Sequence, residues 1–318
     1  MNQDKYVFAQ LVEFLNNNKF RKLVDKYDGN HAFYMMKEAS EKRTTNIFDI
    51  PGKKYAFDST TIPLCLATFP WAKFRRKKGG TKTHVLYDIE AQVPAFYTVT
   101  TASKHDSTVM NTIPYEPNAY YIFDRAYDSF RELYRIHLTG SYYVIRAKTN
   151  LKYEVIKWKR RMPKNILTDA EVKLTGHLSE KKYPETFRLI RFYDEEDDQE
   201  FTFITNAKHI TANDVANLYK KRWLVELFFK WLKQHLKIKR FWETTENAVR
   251  IQISVAIITY CLVAIVQHDM KLNRSTYEVL QILSISLTDK THLSILFDKT
   301  NFNDVKEQLD PLIPGLYI

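Results

Sequence analysis

Cysteine and glycine are scarce in this chain of 318 residues. The two cysteines, Cys65 and Cys261, stand far apart in sequence, so no C-x-x-C metal or redox motif exists. A count this low is typical of proteins from a reducing cytoplasm. The seven glycines argue against a flexible or repetitive chain, and the sequence shows no internal repeats or low-complexity segments.

Long apolar segments are also lacking. The first residues, MNQDKYVFAQ, have no apolar signal-peptide core. The most apolar run, IQISVAIITYCLVAIV (251–266), is shorter than the roughly 20 residues that span a bilayer, and it includes Gln252, Ser254 and Thr259. We therefore expect a buried helix there, no membrane contact and a cytoplasmic protein.

Aromatic residues and positive charge are abundant. Hydrophobic residues make up 45% and aromatic residues 14%, while the net charge is +11. Such a balance favours a polyanion such as nucleic acid as partner, although it also serves solubility. Two basic runs, KFRRKK (73–78) and KWKRR (157–161), contain aromatic residues, which favours nucleic-acid contact over a merely solvated surface. The predicted contacts of the first run are Arg75, Arg76, Lys77 and Lys78.

The hydrophobic pattern predicts an α/β protein. Short aromatic and β-branched segments predict strands at 54–60, 84–90, 94–102, 119–126 and 141–147. Several are apolar on both faces, as in a sheet covered by helices. Helical spacing predicts a helical pair at 5–27, a helix at 128–140, and helices from 212 almost to 270, with Thr211 as an N-cap. A second β-rich stretch covers roughly 150–206, including a hairpin from 186–193 and 200–206 with a solvated acidic loop.

The stretch YKKRWLVELFFKWLK (219–233) contains one acid among many bases. On a single helix, Tyr219, Arg222, Glu226 and Lys233 fall within about 60° of one another, with Lys230 beside them. The apolar residues on the opposite side are Leu224, Leu227, Phe228, Trp231 and Leu232. One interpretation is a surface stripe in which Arg222 and Glu226 form an i,i+4 pair worth a few tenths of a kcal/mol.

Two aspartates favour a different interpretation. Asp58 and Asp124 each follow apolar or aromatic residues and close a predicted strand. Burying a carboxylate is costly unless it is paired or binds a cation, although each aspartate could also cap the following turn. Together with Glu226 they suggest a three-carboxylate site, whose oxygen ligands suit a hard cation such as Mg²⁺ or Mn²⁺.

These residues resemble a known family. The pattern Tyr219-x₂-Arg222-x₃-Glu226-x₆-Lys233 resembles the YREK signature of bacterial insertion-sequence transposases of the DDE group, which have a ribonuclease H-like catalytic core. The words FDSTTI around Asp58, DRAY after Phe123 and RWLVELFFKWLKQ around Glu226 are also similar to that family. The resemblance covers roughly residues 50–270. It implies a mixed sheet flanked by helices, with a β-rich insertion before the catalytic Glu helix and a short helical N-terminal segment.

The resemblance implies roles for individual residues. Asp58, Asp124 and Glu226 would be the catalytic residues and the ligands of two Mg²⁺ ions per active site, with Mn²⁺ as the alternative. The side chains expected to contact DNA are Tyr219, Arg222, Lys233, Lys230, Arg125, Tyr127 and Trp223. Trp223 could instead pack in the protein. His84 and His105 are expected to be structural or close to DNA, since neither has a second histidine at ligand spacing.

The resemblance also implies an organisation and a function. The expected segments are 1–49, helical and DNA-binding but internally shortened; 50–149, the first part of the catalytic core; 150–206, the insertion; 207–275, the second part of the core; and 276–318, helical. The expected activity is metal-dependent cleavage at insertion-sequence ends followed by strand transfer. Its partners would be double-stranded DNA, as terminal inverted repeats and target, and a second copy in a synaptic homodimer at the nucleoid. Two alternatives are a transposition-defective repressor and a nuclease with the same core.

Overall fold

The computed structural model describes residues 30–76, 78–235, 241, 243–286 and 297. The helices are α1 (Asn30–Arg43), α2 (Asp106–Val109), α3 (Phe130–Leu138), α4 (His177–Lys182), α5 (Ala212–Lys220), α6 (Trp223–His235), α7 (Glu246–Asp269) and α8 (Thr276–Ser286). The strands are β1 (Lys54–Leu64), β2 (Lys73–Arg75), β3 (Lys78–Asp88), β4 (Val93–Thr101), β5 (Tyr120–Phe123), β6 (Tyr142–Arg146), β7 (Tyr153–Trp158), β8 (Ile166–Leu174), β9 (Phe187–Asp194) and β10 (Gln199–Thr205). The helical pair predicted at 5–27 lies outside the described residues.

The first half of the sheet has the ribonuclease H-like arrangement. Strand β1 pairs antiparallel with β3, which pairs antiparallel with β4. On its other side β1 pairs parallel with β5, and β5 pairs parallel with β6. Because the carboxyl ends of β1 and β5 point the same way, residues that follow these strands meet at one edge of the sheet. The predicted α/β class with a mixed sheet is confirmed.

The segment before the Glu226 helix continues the same sheet. Strand β10 pairs antiparallel with β6, and β9, β8 and β7 follow outward, giving a ten-stranded sheet in the described part of the chain. The predicted hairpin is present as β9 and β10, with paired ends at Asp194 and Gln199. Strand β7 forms the outer edge, and its side chains are exposed or half-buried on both faces. This edge contains the start of the second basic run.

Apolar side chains cover both faces of the sheet. One buried cluster joins the sheet to α1, α5, α6 and α7, and the other lies between the opposite face and α3. Helix α7 has 24 residues, so its length and composition would allow a membrane crossing, contrary to our length argument. In this fold 56% of its most apolar window is buried in the protein, as expected for a core helix.

Helix α1 lies within the segment 1–49 that was expected to be helical, but the sequence pattern gave no bounds for it. Its buried side chains, Ala32, Met36 and Ala39, have helical spacing, but two of them are small, so the apolar signal is weak. The helix is fixed to the core by Arg43, whose guanidinium donates to the carbonyl of Ala264 at 3.0 Å and to the side-chain oxygen of Gln267 at 2.9 Å. Helix α1 is therefore held against α7.

Candidate functional site

Asp58 and Asp124 lie next to each other at the edge where β5 ends. The last residues paired between β1 and β5 are Phe57 and Phe123, and each aspartate is the next residue. Asp124 follows the end of its strand, as predicted. Asp58 does not close its strand, because β1 continues to Leu64 beside β3. The sequence could not show that β1 continues seven residues beyond its last pairing with β5, because parallel partners are distant in sequence.

The helix expected over 219–233 is divided in two. Helix α5 ends at Lys220, Lys221 and Arg222 form a turn, and α6 begins at Trp223. The amide of Arg222 donates to the carbonyl of Tyr219 at 3.0 Å, and the amide of Val225 to that of Arg222 at 3.2 Å. These i to i+3 bonds form a tight connection. Tyr219 and Arg222 therefore remain on the same side as Glu226, although the single-helix prediction was wrong.

Arg222 connects two of the three acids. Its guanidinium donates to Asp58 Oδ2 at 2.9 Å and to Glu226 Oε1 at 2.5 Å. The Tyr219 hydroxyl lies 3.3 Å from Asp124 Oδ1 and can donate to it. The site thus brings Asp58, Glu226, Arg222, Tyr219 and Asp124 into one cluster, which is an arrangement that an isolated surface ion pair would not produce.

Burial and mutual repulsion set the electrostatics of this cluster. Burial raises the pKa of Asp58 to about 6, and the charges of Glu226 and Asp124 add to this, while the Ser59 amide and Arg222 oppose it. Burial disfavours the charge of Arg222, but Asp58 and the other neighbours outweigh it and raise the pKa of the guanidinium. Burial, followed by the charge of Asp124, raises the pKa of Tyr219. The cluster is therefore short of positive charge despite Arg222.

Tyr127 lies inside the protein beneath the acids. It is 1% exposed, its ring packs edge-on against Phe57 at 5.2 Å, and its hydroxyl is 3.5 Å from Asp58 Oδ1. Burial, followed by the charge of Asp58, raises the pKa of this hydroxyl. In this structure Tyr127 contacts Asp58 from below and has no surface that DNA could reach.

The donor set fits a hard divalent cation by its chemistry, since all three side chains offer carboxylate oxygens. Among the described residues, however, no group of three or more His, Cys, Asp or Glu side chains is arranged to hold a metal ion. The guanidinium of Arg222 lies between Asp58 and Glu226 instead. A cation held by these two acids would take over the positive charge that Arg222 supplies here.

The other predicted contact residues are mostly at the surface. Trp223 is 55% exposed, although its neighbour Leu227, expected to be packed, is also 42% exposed. Lys233 is half-buried further along α6. The exposed cations are Lys230, Arg125, Arg75, Arg76 and Lys78, and Lys77 lies outside the described residues.

The two histidines have structural surroundings. His84 is fully buried and shares a hydrogen bond of 3.0 Å with the Thr100 hydroxyl, and burial lowers the pKa of its imidazole to about 4. His105 accepts from the Ser107 amide at 3.3 Å and caps α2. Both are consistent with the expected structural role.

The fold and the acid cluster define a ribonuclease H-like protein with three carboxylates at the end of its parallel strands. Residues 51–262 match the model of the transposase DDE domain, and the chain belongs to that family. Members of this family use divalent metal ions. The family assignment agrees with the resemblance drawn from the YREK spacing.

Several relatives carry transposase names. The chain is 34% identical over 229 residues to transposase y4zB of Sinorhizobium fredii, and 32% identical over 225 residues to the transposase assigned to insertion sequence element IS5377 of Geobacillus stearothermophilus. Both alignments cover 70% of this chain but 63% and 58% of the relatives, so the chain spans about three fifths of their length. Among solved structures, a piggyBac transposase synaptic complex with hairpin DNA is similar at a TM-score of 0.49 and 12% sequence identity. The match covers 100% of this chain and 73% of that one.

Proposed function

We propose that this chain is an insertion-sequence transposase that cleaves DNA at the ends of its element and joins the freed 3′-hydroxyl to target DNA. The observation that carries the proposal is the meeting of Asp58 and Asp124 after paired residues of two parallel strands, with Glu226 held to Asp58 through Arg222. Three carboxylates at one edge of this sheet suit metal-dependent chemistry at phosphorus.

In this proposal Asp58, Asp124 and Glu226 hold the divalent ions, with Mg²⁺ as the natural ion, Mn²⁺ as its substitute, and two ions in each site. Such ions supply a deprotonated water and stabilise the leaving oxygen of an in-line displacement. Arg222 and Tyr219 already face the acids, and we assign them to phosphates beside the scissile bond. Lys233, which lies further along α6, would bind the DNA backbone.

The exposed residues around the cluster support DNA as the partner. Arg125 follows Asp124 directly, while Trp223 and Lys230 lie on the same exposed side of α6. Exposed cations bind the backbone electrostatically, and an exposed tryptophan can stack on a base. We further propose that residues 50–149 and 207–275 form the catalytic core around an insertion at 150–206, with helical segments at 1–49 and 276–318, and that two copies pair two element ends.

The proposal is tested by Mg²⁺-dependent cleavage of a labelled duplex that carries the element's end. The wild type is compared with Glu226→Gln and with the matched control Glu246→Gln, which changes an exposed helical glutamate paired with Arg250. We expect specific cutting that Glu226→Gln abolishes and Glu246→Gln retains. Binding without cutting by the wild type would establish a repressor, and cutting without strand transfer a nuclease.

A further inference from the structure

A fourth acid, outside the cluster of three, contacts strand β1 beside Asp58. Asp106 begins α2, in the connection that follows β4, and its side chain is 25% exposed. Its Oδ1 accepts from the Ser59 hydroxyl at 2.8 Å and from the Lys82 ammonium at 3.0 Å. Ser59 is the residue after Asp58. Asp106 therefore contacts the strand that carries Asp58, although it is not one of the three acids of the candidate site.

Ser59 links the two aspartates. While its hydroxyl donates to Asp106, its backbone amide donates to Asp58 Oδ1 at 2.7 Å. The Asp58 carboxylate therefore has one oxygen held by its own strand, and the other, Oδ2, is directed at Arg222. Beyond Phe57 the strand has lost β5 as a neighbour, so its backbone has paired support from β3 alone in the described structure.

Asp106 is itself held firmly. The side chain of Lys82 is 11% exposed, and its ammonium also donates to the carbonyl of Lys104 at 3.3 Å, which fixes the connection on which Asp106 lies. The His84 Nδ1 is 3.7 Å from Asp106 Oδ1, too far for a hydrogen bond, and its imidazole is neutral near pH 7. Lys82 is thus the charged donor to Asp106. Such a hydrogen bond between two charged groups is stronger than one between neutral groups.

We propose that Asp106 is a positioning residue that orients Asp58 toward the divalent ion by fixing Ser59. The proposal rests on the proposed function of the acid cluster. It follows from the general behaviour of metal sites, in which partners that hydrogen-bond to ligand-bearing groups set the orientation of the ligand and change metal affinity about 10- to 100-fold when they are removed.

The test compares the metal dependence of Ser59→Ala, Asp106→Ala and the double variant, since alanine at either position removes the hydrogen bond between them. We expect each single change to raise the Mg²⁺ concentration for half-maximal cleavage about tenfold, with a smaller effect at saturating Mg²⁺. The Ser59→Ala, Asp106→Ala double variant should be no worse than the weaker-binding single variant, because both changes remove the same hydrogen bond between Ser59 and Asp106. Ser59→Thr keeps the hydroxyl and should restore the wild-type requirement.

A matched control separates positioning from stability. Ser40 donates its hydroxyl to the buried Asp88 at 3.0 Å, so Ser40→Ala removes the same kind of contact far from the acids in sequence. It should lower the melting temperature about as much as Ser59→Ala and leave the Mg²⁺ requirement unchanged. Additive single effects, or variants that lose only melting temperature, would overturn the proposal.

Mn²⁺ binding gives a readout that needs no cleavage. Electron paramagnetic resonance titration of Mn²⁺ on the DNA-bound protein should show weaker binding in Ser59→Ala and Asp106→Ala. If the wild type binds Mn²⁺ without cutting DNA and these variants bind it less well, the transposase proposal fails while the positioning role holds. If the wild type binds no Mn²⁺, the positioning role fails with the site itself.

Discussion

The acid cluster and the outer edge of the sheet differ in the exposure and the pairing of their charged side chains. At the cluster, Asp58 and Arg222 are at most one fifth exposed and bonded to each other. At the β7 edge, Ile156 and Trp158 are more than half exposed, and Arg160 and Arg161 make no ion pair within the described residues. The acid cluster has its geometry fixed by internal contacts, whereas the exposed edge leaves Arg160 and Arg161 available, although Lys159 between them and β7 pairs with Asp169. In the proposed function, the sheet would therefore place the reaction at the cluster and DNA binding at the β7 edge.

The largest effect should come from the acids themselves. Glu226→Gln or Asp124→Asn keeps the size of each side chain and removes the charge of a proposed metal ligand. We expect cleavage to fall by at least about 1,000-fold, the scale on which removal of a reacting group acts, while duplex affinity changes less than about threefold. Single-turnover cleavage and binding by anisotropy, measured side by side, check this. Equal losses in both assays would mean that the cluster binds DNA and does no chemistry.

Substitution of Arg222 should give the next largest effect, because this one guanidinium pairs with both Asp58 and Glu226. Arg222→Ala should lower the stability by about 2 kcal/mol, since it leaves carboxylates without their partner, and Mg²⁺ should recover part of that loss. The measurement is thermal unfolding with EDTA and with Mg²⁺. Arg250→Ala is the control, because Arg250 also forms an i,i+4 pair with a glutamate, but its side chain is 43% exposed, against 15% for that of Arg222. A Mg²⁺ response as large in Arg250→Ala would contradict the role of Arg222.

Substitutions at the β7 edge should lower the affinity for DNA and leave the rate of cleavage unchanged. Six strand spacings of about 4.8 Å separate β7 from β1, so the edge lies about 30 Å from Asp58, which corresponds to about nine base pairs. Arg160→Ala with Arg161→Ala should reduce the slope of log affinity against log salt by about 2. It should also remove phosphate protection about nine base pairs from the cut.

The control for this edge is Lys181→Ala with Lys182→Ala, which removes two adjacent exposed charges from α4. The salt slope should then stay within about 0.5 of the wild-type value, because charges that contact no phosphate release no counterions. If both pairs change the slope equally, the β7 edge has no special part in binding, and the contrast with the acid cluster loses its functional meaning.

Local pattern was sufficient to find the residues of the cluster but not the geometry that joins them. The spacing of Tyr219, Arg222 and Glu226 identified residues that the fold brings together. The break after Lys220 carries no glycine or proline, so nothing in the sequence marked it. The position of Asp58 within β1 depends on where β5 ends, and the contact of Asp106 with Ser59 joins residues 47 apart. Such relations arise from tertiary structure, which periodicity does not encode.

The smallest effect concerns pH and follows from the raised pKa of Asp58. Between its ordinary pKa and about 6 the folded protein binds more protons than the unfolded chain, so the contribution of this carboxyl to stability declines as pH rises through that window and is fully lost above it. Asp58→Asn resembles the protonated form. In EDTA it should therefore melt a few degrees above the wild type at pH 7.5, for a gain on the order of 2 kcal/mol, and the difference should vanish near pH 4.

Asp194 provides the opposite sign in the same molecule. A hydrogen bond from Lys220 holds the pKa of the Asp194 carboxyl below its ordinary value, so its stabilising contribution exists at neutral pH and is lost in acid. Asp194→Asn should melt below the wild type at pH 7.5 and approach it as the pH falls. Melting curves of the two variants, measured side by side, would show whether an ionised carboxylate destabilises the fold at the acid cluster only. If Asp58→Asn also melts below the wild type at pH 7.5, Arg222 stabilises the ionised Asp58 carboxylate more than burial destabilises it. The ion pair between Asp58 and Arg222 would then stabilise the fold without a metal ion.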